Sequence, residues 1–194
     1  MIDKFSLTVG TPVSVKYVMD HYSDRKLLFF KNNQRDRYMI MDVSGGKQVL
    51  ASDLRFNATY DNGGDSQDWD GFFELRYVTL DKDAQKVFRA LLRDWENPDS
   101  RPAGLKRTLV GQKKHPKFQF LMVNVWDSVG SFLAWDSLPE EKNKFKQFEY
   151  NGGPGAIVKQ YSQFTKAEMK AEIEERMAEE KDKDLDEWNK DFDN

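Results

Sequence analysis

The sequence predicts a mainly β fold with inserted helices, arranged as a small antiparallel barrel or sandwich and followed by a C-terminal helix. Three observations support this prediction. Most apolar residues lie in short runs bounded by turn residues, which is the pattern of strands. Helical spacing of apolar residues is evident in only three segments. Strands and helices do not alternate regularly, as a parallel doubly wound sheet would require.

Eight segments are predicted as strands because they are rich in β-branched, aromatic and aliphatic residues. The segment 37–43 alternates between its two faces, and Gly45 and Gly46 mark a turn after it. The segment 118–126 has the strongest strand pattern. The predicted strands are 13–19, 27–30, 37–43, 54–60, 72–80, 118–126, 131–135 and 156–163.

Three helices are predicted from start signals and helical spacing. The first covers 82–95 behind Asp81, a residue that favours the N-cap position. The second is short and begins with a Ser-x-x-Glu capping box at 137–140. The third begins with a Thr-x-x-Glu box at 165–168. These boundaries divide the chain into a β-rich body at 1–164, a helix at 165–181 and an acidic tail at 182–194 that we expect to be disordered.

The charge is distributed unevenly along the chain. The net charge of −3 hides a value of −6 in residues 166–194 and of +3 in the body. The segment 100–126 has six basic residues and no acidic one. A second basic segment, 25–38, interleaves its cations with aromatic residues. A mildly basic body is therefore joined to an acidic C-terminal segment.

Several classes of protein are excluded by composition. The absence of cysteine rules out a disulfide scaffold, an iron–sulfur site and a thiol nucleophile. His21 and His115 are the only histidines, so no multi-histidine metal site is expected. No apolar run approaches the roughly 20 residues that span a bilayer, and the N-terminus lacks the order of a signal peptide. We expect a soluble, intracellular protein without a cofactor or a metal.

Basic residues interleaved with aromatic ones favour binding of single-stranded nucleic acid. Cations neutralise phosphates, and unpaired bases stack on aromatic rings. The predicted phosphate contacts are Arg35, Arg37, Lys106, Arg107, Lys113, Lys114 and Lys117, and the predicted stacking residues are Phe29, Tyr38, Phe118 and Phe120. The alternative for the aromatic residues is that they pack in the core.

The acidic tail is predicted to contact a partner. Its acids surround two aromatic residues, and such a segment can also mimic nucleic acid in the basic groove of its own body. The predicted contact residues are Asp186, Glu187, Trp188, Asp191 and Phe192. The alternative is a solvated tail that serves solubility, or a frayed helix.

The arrangement as a whole resembles bacteriophage single-stranded-DNA-binding proteins. The resemblance rests on the basic, aromatic strand 117–127, on the stretch 157–162 before a helix, and on the near-terminal Phe192. It implies a five-stranded OB-fold body, no enzymatic activity, and a role in DNA replication, recombination and repair. It also implies that the tail contacts polymerase or helicase, and that the protein lies in the host cytoplasm if a phage encodes it.

Two alternatives to DNA binding remain open from the residues. The first is a phage interaction protein or inhibitor of a host protein, whose acidic helix and tail bind a basic partner. The second is a metal-dependent nuclease that uses the carboxylate-rich segment 61–74, with Asp70, Glu74 and Arg76 as its core.

Overall fold

The fold comes from a computed structural model that describes residues 2–31, 38–45, 47, 49–50, 54–63, 69–148 and 157–192. Side chains are described for these residues except in 157–159 and 182–192. The strands are β1 (Lys4–Gly10), β2 (Leu27–Lys31), β3 (Tyr38–Asp42), β4 (Leu54–Asp61), β5 (Phe72–Thr79), β6 (Leu105–Lys113), β7 (Gln119–Trp126) and β8 (Ile157–Phe164). The α-helices are α1 (Pro12–His21), α2 (Lys82–Asp94), α3 (Val129–Asp136) and α4 (Lys166–Phe192). Two short 3-10 helices cover Pro98–Ser100 and Lys144–Phe148.

The eight strands form one closed antiparallel barrel made of two similar halves. The strand order is β1-β3-β2-β8-β5-β7-β6-β4. The first half contains β1 to β4 in the order β4-β1-β3-β2, and the second half repeats this path with β5 to β8 as β8-β5-β7-β6. The β2–β8 and β4–β6 pairs join the halves. The mainly antiparallel β architecture predicted from the sequence is therefore confirmed, whereas the five-stranded OB-fold body is not.

The barrel interior is filled by large side chains from both halves. Phe30 and Phe73 meet edge to face, with their ring centroids 4.8 Å apart, and Phe5 stacks on Phe56 at 5.2 Å. Alternation along each strand sends every second residue inward. In β7, for example, Leu121 points into the barrel, and its neighbours on the chain point out towards the helices.

The outer face of the second half is covered by α2, α3 and the Lys144–Phe148 segment. The predicted N-cap forms, because the Asp81 carboxylate accepts hydrogen bonds from the backbone N–H groups of Asp83 and Ala84. Phe88 lies at the centre of the buried face of α2. Its ring centroid is 5.7 Å from that of Phe145 and 5.3 Å from that of Phe148. This layer is packed densely with aromatic rings.

The outer face of the first half is covered by α1 and α4. The Thr165–Glu168 capping box forms as predicted and starts α4. Met169 and Ile173 of α4 are buried against the sheet. The Glu172 carboxylate of α4 accepts hydrogen bonds from Lys31 Nζ at 2.5 Å and Tyr38 Oη at 3.0 Å. The C-terminal helix is thus an integral part of this half, and it continues to Phe192 where the sequence prediction divides the segment at 181.

The stability that the contact between α4 and the sheet contributes is expected to fall at low pH and at high pH. Lys31 holds the pKa of Glu172 below its usual range, so its contribution to stability is lost as the pH falls through that lowered pKa. Burial, and then the hydrogen bond to Glu172, raise the pKa of Tyr38 to about 12. The contribution of Tyr38 is therefore complete below pH 10 and is lost as the pH rises towards 12.

Tyr38→Phe tests the alkaline half of this prediction. Urea unfolding measures the free energy of unfolding of both proteins at pH 9 and at pH 11.5. Between these two pH values the variant is expected to lose less stability than the wild-type protein, since the variant has no phenol to ionise at this position. At neutral pH the variant loses one hydrogen bond to a carboxylate, which costs about 1.5–3 kcal/mol. Equal pH dependence in both proteins would contradict the assignment.

Two predicted strands are helices in the structure. The segment 13–19 lies in α1, where valines that favour strands are placed so that Pro12, Val15 and Met19 share one buried face. The segment 131–135 lies in α3, which Ser128 caps through its side-chain oxygen. Ser137, predicted to begin a helix, instead follows the end of α3. Strands β1 and β6 were not predicted.

Candidate functional site

The start of α1 lies directly against the end of β1. Pro12 occupies the first turn of the helix, where its missing N–H is not needed. A Cβ atom on Gly10 would lie 2.9 Å from Ser14 Cβ, so the glycine permits this close approach. Gly10 and Pro12 thus allow α1 to begin close to the end of β1.

A pocket of about 540 Å³ opens between α1 and the outer face of the first half. We call it the α1 pocket. The buried face of α1 rests on the sheet and on α4, and the adjoining face of the helix forms one wall of the pocket. Its lining residues are Thr8, Val9, Gly10, Val13, Ser14, Val15, Tyr17, Val18, Tyr22, Ile40, Val49 and Leu50.

Large apolar side chains are exposed around the α1 pocket. Val9 is 46% exposed, Val13 58% and Tyr17 55%. Each lines the pocket, and they come from two adjacent elements, β1 and α1. A contiguous exposed apolar surface around a concavity is characteristic of a binding site rather than of ordinary surface.

Hydroxyl groups and one imidazole accompany this apolar surface. Tyr17 and Tyr22, which carry phenol groups, are among the lining residues. His21 stacks on Tyr17, with ring centroids 3.9 Å apart, and its Nδ1 lies 2.8 Å from the backbone oxygen of Tyr17. Because a carbonyl oxygen only accepts, Nδ1 is the donor in this hydrogen bond, and Nε2 is the ring nitrogen that this bond leaves unused.

The corresponding space in the second half is filled. There α2 follows β5 as α1 follows β1. Phe88 of α2, Phe120 of β7, and Phe145 and Phe148 of the connection to β8 pack together over the sheet. In the first half α1 lines the same region with three valines, Ser14 and Tyr17. The two halves therefore share a path but differ at this position, which is open in the first half and filled by aromatic rings in the second.

Glu74, one of the two carboxylates proposed as the core of a nuclease site, has a structural role. Glu74 is fully buried, and its Oε1 accepts a hydrogen bond from Arg76 Nε at 2.7 Å. Its Oε2 accepts from Asn124 Nδ2 at 2.9 Å and from Trp126 Nε1 at 3.3 Å. Among the described residues, no group of three or more acidic or histidine side chains is placed to hold a metal ion. The network is saturated by protein donors, so the described side chains do not form the predicted nuclease site.

Of the described basic residues predicted to bind phosphate, Arg107 is not available at the surface. Arg107 is buried, donates to Asp61 Oδ2 at 2.9 Å and lies over the Trp69 ring. Lys106 Nζ donates to the backbone oxygen of Asp70. Three others lie on or beside the β6–β7 hairpin: Lys113, Lys114 and Lys117. Arg35 and Arg37 lie outside the described residues.

The aromatic residues predicted to stack on bases are mostly buried. Phe29 and Tyr38 lie beneath α1 and α4, and Phe120 lies beneath α2. Of the four, Phe118 is exposed, at 46%. A base could not reach the three buried rings. The predicted tail contacts Asp186, Glu187, Trp188, Asp191 and Phe192 fall in the last turns of α4, where only the backbone is described.

The residues of the α1 pocket are missing from the sequence predictions because 13–19 has the pattern of a strand. The signal that could have found them is Pro12 after Thr11, followed by apolar residues at positions 15 and 19. Within the described part of the chain, no helix has the length and apolar character needed to cross a membrane.

Solved structures with similar folds were found at low sequence identity. A monooxygenase-like protein from Listeria innocua is 19% identical with a TM-score of 0.65, and the match covers 82% of this chain and 92% of that one. A ferredoxin-fold protein related to antibiotic biosynthesis monooxygenases, from Listeria monocytogenes, is 18% identical with a TM-score of 0.67, covering 85% and 95%. A heme-degrading enzyme from the same species is 16% identical with a TM-score of 0.64, covering 81% and 97%. No family model and no curated protein matches the sequence.

These findings correct the functional predictions made from the sequence. The chain shares its fold with monooxygenase-like proteins, and the resemblance to phage single-stranded-DNA-binding proteins is wrong. The predicted role in replication and recombination, the DNA, polymerase and helicase partners, and the alternative of a phage interaction protein are not supported either. The expectation of a protein without enzymatic activity is contradicted by the same structures. The error arose because basic and aromatic residues were interpreted as one surface, whereas folding places most of those rings inside.

Proposed function

We propose that the protein is an oxidising enzyme that binds a neutral, ring-containing small molecule in the α1 pocket. The observation that carries this proposal is the open, apolar α1 pocket beside a second half in which the same space is filled. Its volume of about 540 Å³ lies within the range of small-molecule sites, roughly 300–1,000 Å³. The monooxygenase-like and heme-degrading proteins of similar fold support oxidation as the class of reaction.

The lining of the pocket indicates a neutral ligand. Among the described lining residues there is no lysine, arginine, aspartate or glutamate. The hydroxyls of Thr8, Ser14, Tyr17 and Tyr22 are neutral hydrogen-bonding groups that can orient one polar substituent. An apolar ring with a single hydroxyl therefore matches the chemistry of this surface better than a charged molecule does.

Haem does not fit this lining. Its iron takes a histidine, cysteine, methionine or tyrosine ligand, and its carboxylates are best matched by cations. The described lining offers two tyrosines, and His21 stacks on one of them, but it has no cation to pair with the haem carboxylates. We expect haemin to show no 1:1 shift of its Soret band on titration with the protein. A stoichiometric shift that a substitution in the pocket abolishes would contradict this expectation.

His21 is the proposed base of the reaction. It stacks on Tyr17, a lining residue of the pocket, and because Nδ1 donates to the backbone oxygen of Tyr17, Nε2 is the nitrogen that can accept a proton. Removal of a phenolic proton makes an aromatic ring more electron-rich and thus more reactive towards O₂. For 1-naphthol the balanced reaction with one O₂ gives 1,4-naphthoquinone and one water, so it needs no added reductant.

Binding of 1-naphthol tests the pocket. We expect the wild-type protein to bind 1-naphthol, and Ser14→Phe to raise the Kd at least tenfold by placing a ring in the space. Ala90→Phe adds the same ring at an exposed position of α2 and is expected to leave the Kd unchanged. Isothermal titration measures all three. Equal binding by the two variants would remove the α1 pocket as the site.

Oxygen uptake tests the chemistry separately. With 1-naphthol, the wild-type protein is expected to consume O₂ and form naphthoquinone in equal amounts. His21→Gln is expected to slow this turnover tenfold or more while the Kd for 1-naphthol stays within twofold. Binding without oxygen uptake would retain the pocket and overturn the proposed oxidation of this substrate class.

A further inference from the structure

A second cavity, of about 310 Å³, lies in the other half of the barrel. It is formed by the C-terminal end of α2, the residues after Pro98–Ser100, and the stretch from the end of α3 to Phe145. We call it the Trp95–Trp135 pocket. It shares no lining residue with the α1 pocket, so a ligand in this cavity is independent of the proposed function.

The inner wall of this pocket is a fixed group of aromatic rings. The ring centroid of Trp95 is 4.5 Å from that of Phe145 and 6.1 Å from that of Trp135. Trp135 is also held from behind by Trp126, at 5.2 Å. Rings supported on several sides lose little freedom when a flat ligand packs on them.

Asn143 shapes the opposite side of the pocket. It is almost fully buried, and its Oδ1 accepts a hydrogen bond from the backbone N–H of Phe145. Its Nδ2 donates to the backbone oxygen of Trp135 at 3.3 Å. The amide thus ties the end of α3 to the segment that carries Phe145, and both walls of the pocket are held in place.

The charged residues of the pocket are mostly cations. Arg101, Lys142 and Lys144 line it, and Asp94 is the one acidic lining residue among those described. None of these three cations forms an ion pair with the described residues. Three cations and one carboxylate leave a net positive charge among the described lining residues.

Arg101 differs from the other described arginines that are partly or fully buried. Arg25, Arg76, Arg107 and Arg176 are partly or fully buried, and each pairs with a carboxylate. Arg101 is partly buried too, but its Nε donates instead to the backbone oxygen of Trp95, at 2.6 Å. That bond holds the guanidinium beside the tryptophan wall and leaves its terminal nitrogens as donors. A planar carboxylate is the anion that suits such a fork.

We propose that the Trp95–Trp135 pocket binds an aromatic carboxylate of one or two rings. The ring packs on the tryptophan wall, the carboxylate pairs with Arg101, and Lys142 and Lys144 strengthen the local positive potential. The volume of the pocket limits the ligand to this size. The site would bind a second ligand that carries a negative charge, whereas the ligand expected in the α1 pocket is neutral.

Two matched probes test the proposal by isothermal titration. 1-Naphthoate carries the carboxylate, and 1-naphthamide has the same ring and nearly the same shape without the charge. We expect a Kd for naphthoate at least tenfold below that for naphthamide, with a difference that shrinks as the salt concentration rises. Equal affinities for the two probes, or no naphthoate binding at millimolar concentration, would overturn the proposal.

Variants then locate the site. Arg101→Gln is expected to weaken naphthoate binding at least tenfold and Arg101→Lys less. Asp94→Asn removes the repelling charge and is expected to tighten binding two- to fivefold, a gain that misfolding could not produce. Arg93→Gln, at an exposed position of α2 outside the pocket, is the matched control. If Arg93→Gln changes the Kd as much as Arg101→Gln does, or Ser14→Phe abolishes naphthoate binding, the assigned site is wrong.

Discussion

Glu74→Leu is expected to lower the free energy of unfolding by about 3–5 kcal/mol, because it leaves a buried arginine without its main partner. The Arg76 side chain is 1% exposed, and its guanidinium also contacts Asp136 Oδ1, at the longer distance of 3.2 Å. The leucine would also remove the acceptor for the side-chain N–H groups of Asn124 and Trp126. Buried donors that lose their acceptor cost free energy beyond the lost ion pair.

Urea unfolding at pH 7 measures this effect. Glu74→Gln keeps one side-chain oxygen and is expected to lose less stability than Glu74→Leu. Glu140→Leu places the same apolar side chain at an exposed position and is expected to change stability by no more than about 0.5 kcal/mol. A loss below about 1 kcal/mol for Glu74→Leu would show that Arg76 is held well enough without this carboxylate.

Gly111→Ala is expected to destabilise the protein by about 3 kcal/mol through overpacking. A Cβ atom at this position of β6 would lie 2.5 Å from Phe5 Cζ and 2.5 Å from Phe56 Cβ. Those two rings stack on each other inside the barrel and cannot move apart without disturbing the strands that carry them. The cost arises from packing, since Gly111 has no positive φ angle.

Gly130→Ala is the matched control for this substitution. Gly130 lies in α3, and the nearest atom to an added Cβ is Ser128 Oγ at 3.7 Å. Alanine favours a helix over glycine by about 1 kcal/mol, so this variant is expected to gain stability. Thermal unfolding compares the two. Similar shifts in Tm from both substitutions would contradict the packing argument.

The sequence predicts the strands of this fold better than it predicts their arrangement. Six of the predicted strands and the helix at 82–95 correspond to observed elements, because period and end signals act locally. The strand prediction for 13–19 is wrong. Valine favours strands, but contact with the sheet and α4 stabilises this segment as a helix. The number of strands in the barrel depends on which distant strands pair, and no local pattern encodes that.

The candidate site was hidden for the same reason. Tyr17 and Val13 line the α1 pocket only once they lie on a helix, and Val9 joins them only through β1, which was not predicted. Conversely, Arg107 looked available for phosphate because Asp61, its partner, is 46 positions away in the sequence. The sequence shows where charges lie along the chain, but it does not show which of them form ion pairs after folding.

The joining of β8 to both halves has a consequence for how the protein folds during synthesis. β8 pairs with β5 on one side and with β2 on the other, and Phe29 of β2 pairs with Phe164 near the end of the chain. Until β8 has left the ribosome, β2 and β5 each keep an open edge, and open edges invite pairing with other chains. α4, which covers the first half, follows β8 directly. A nascent chain that stalls before residue 157 would therefore carry two unpaired strand edges and a half-covered sheet, and it would be a natural client for chaperones.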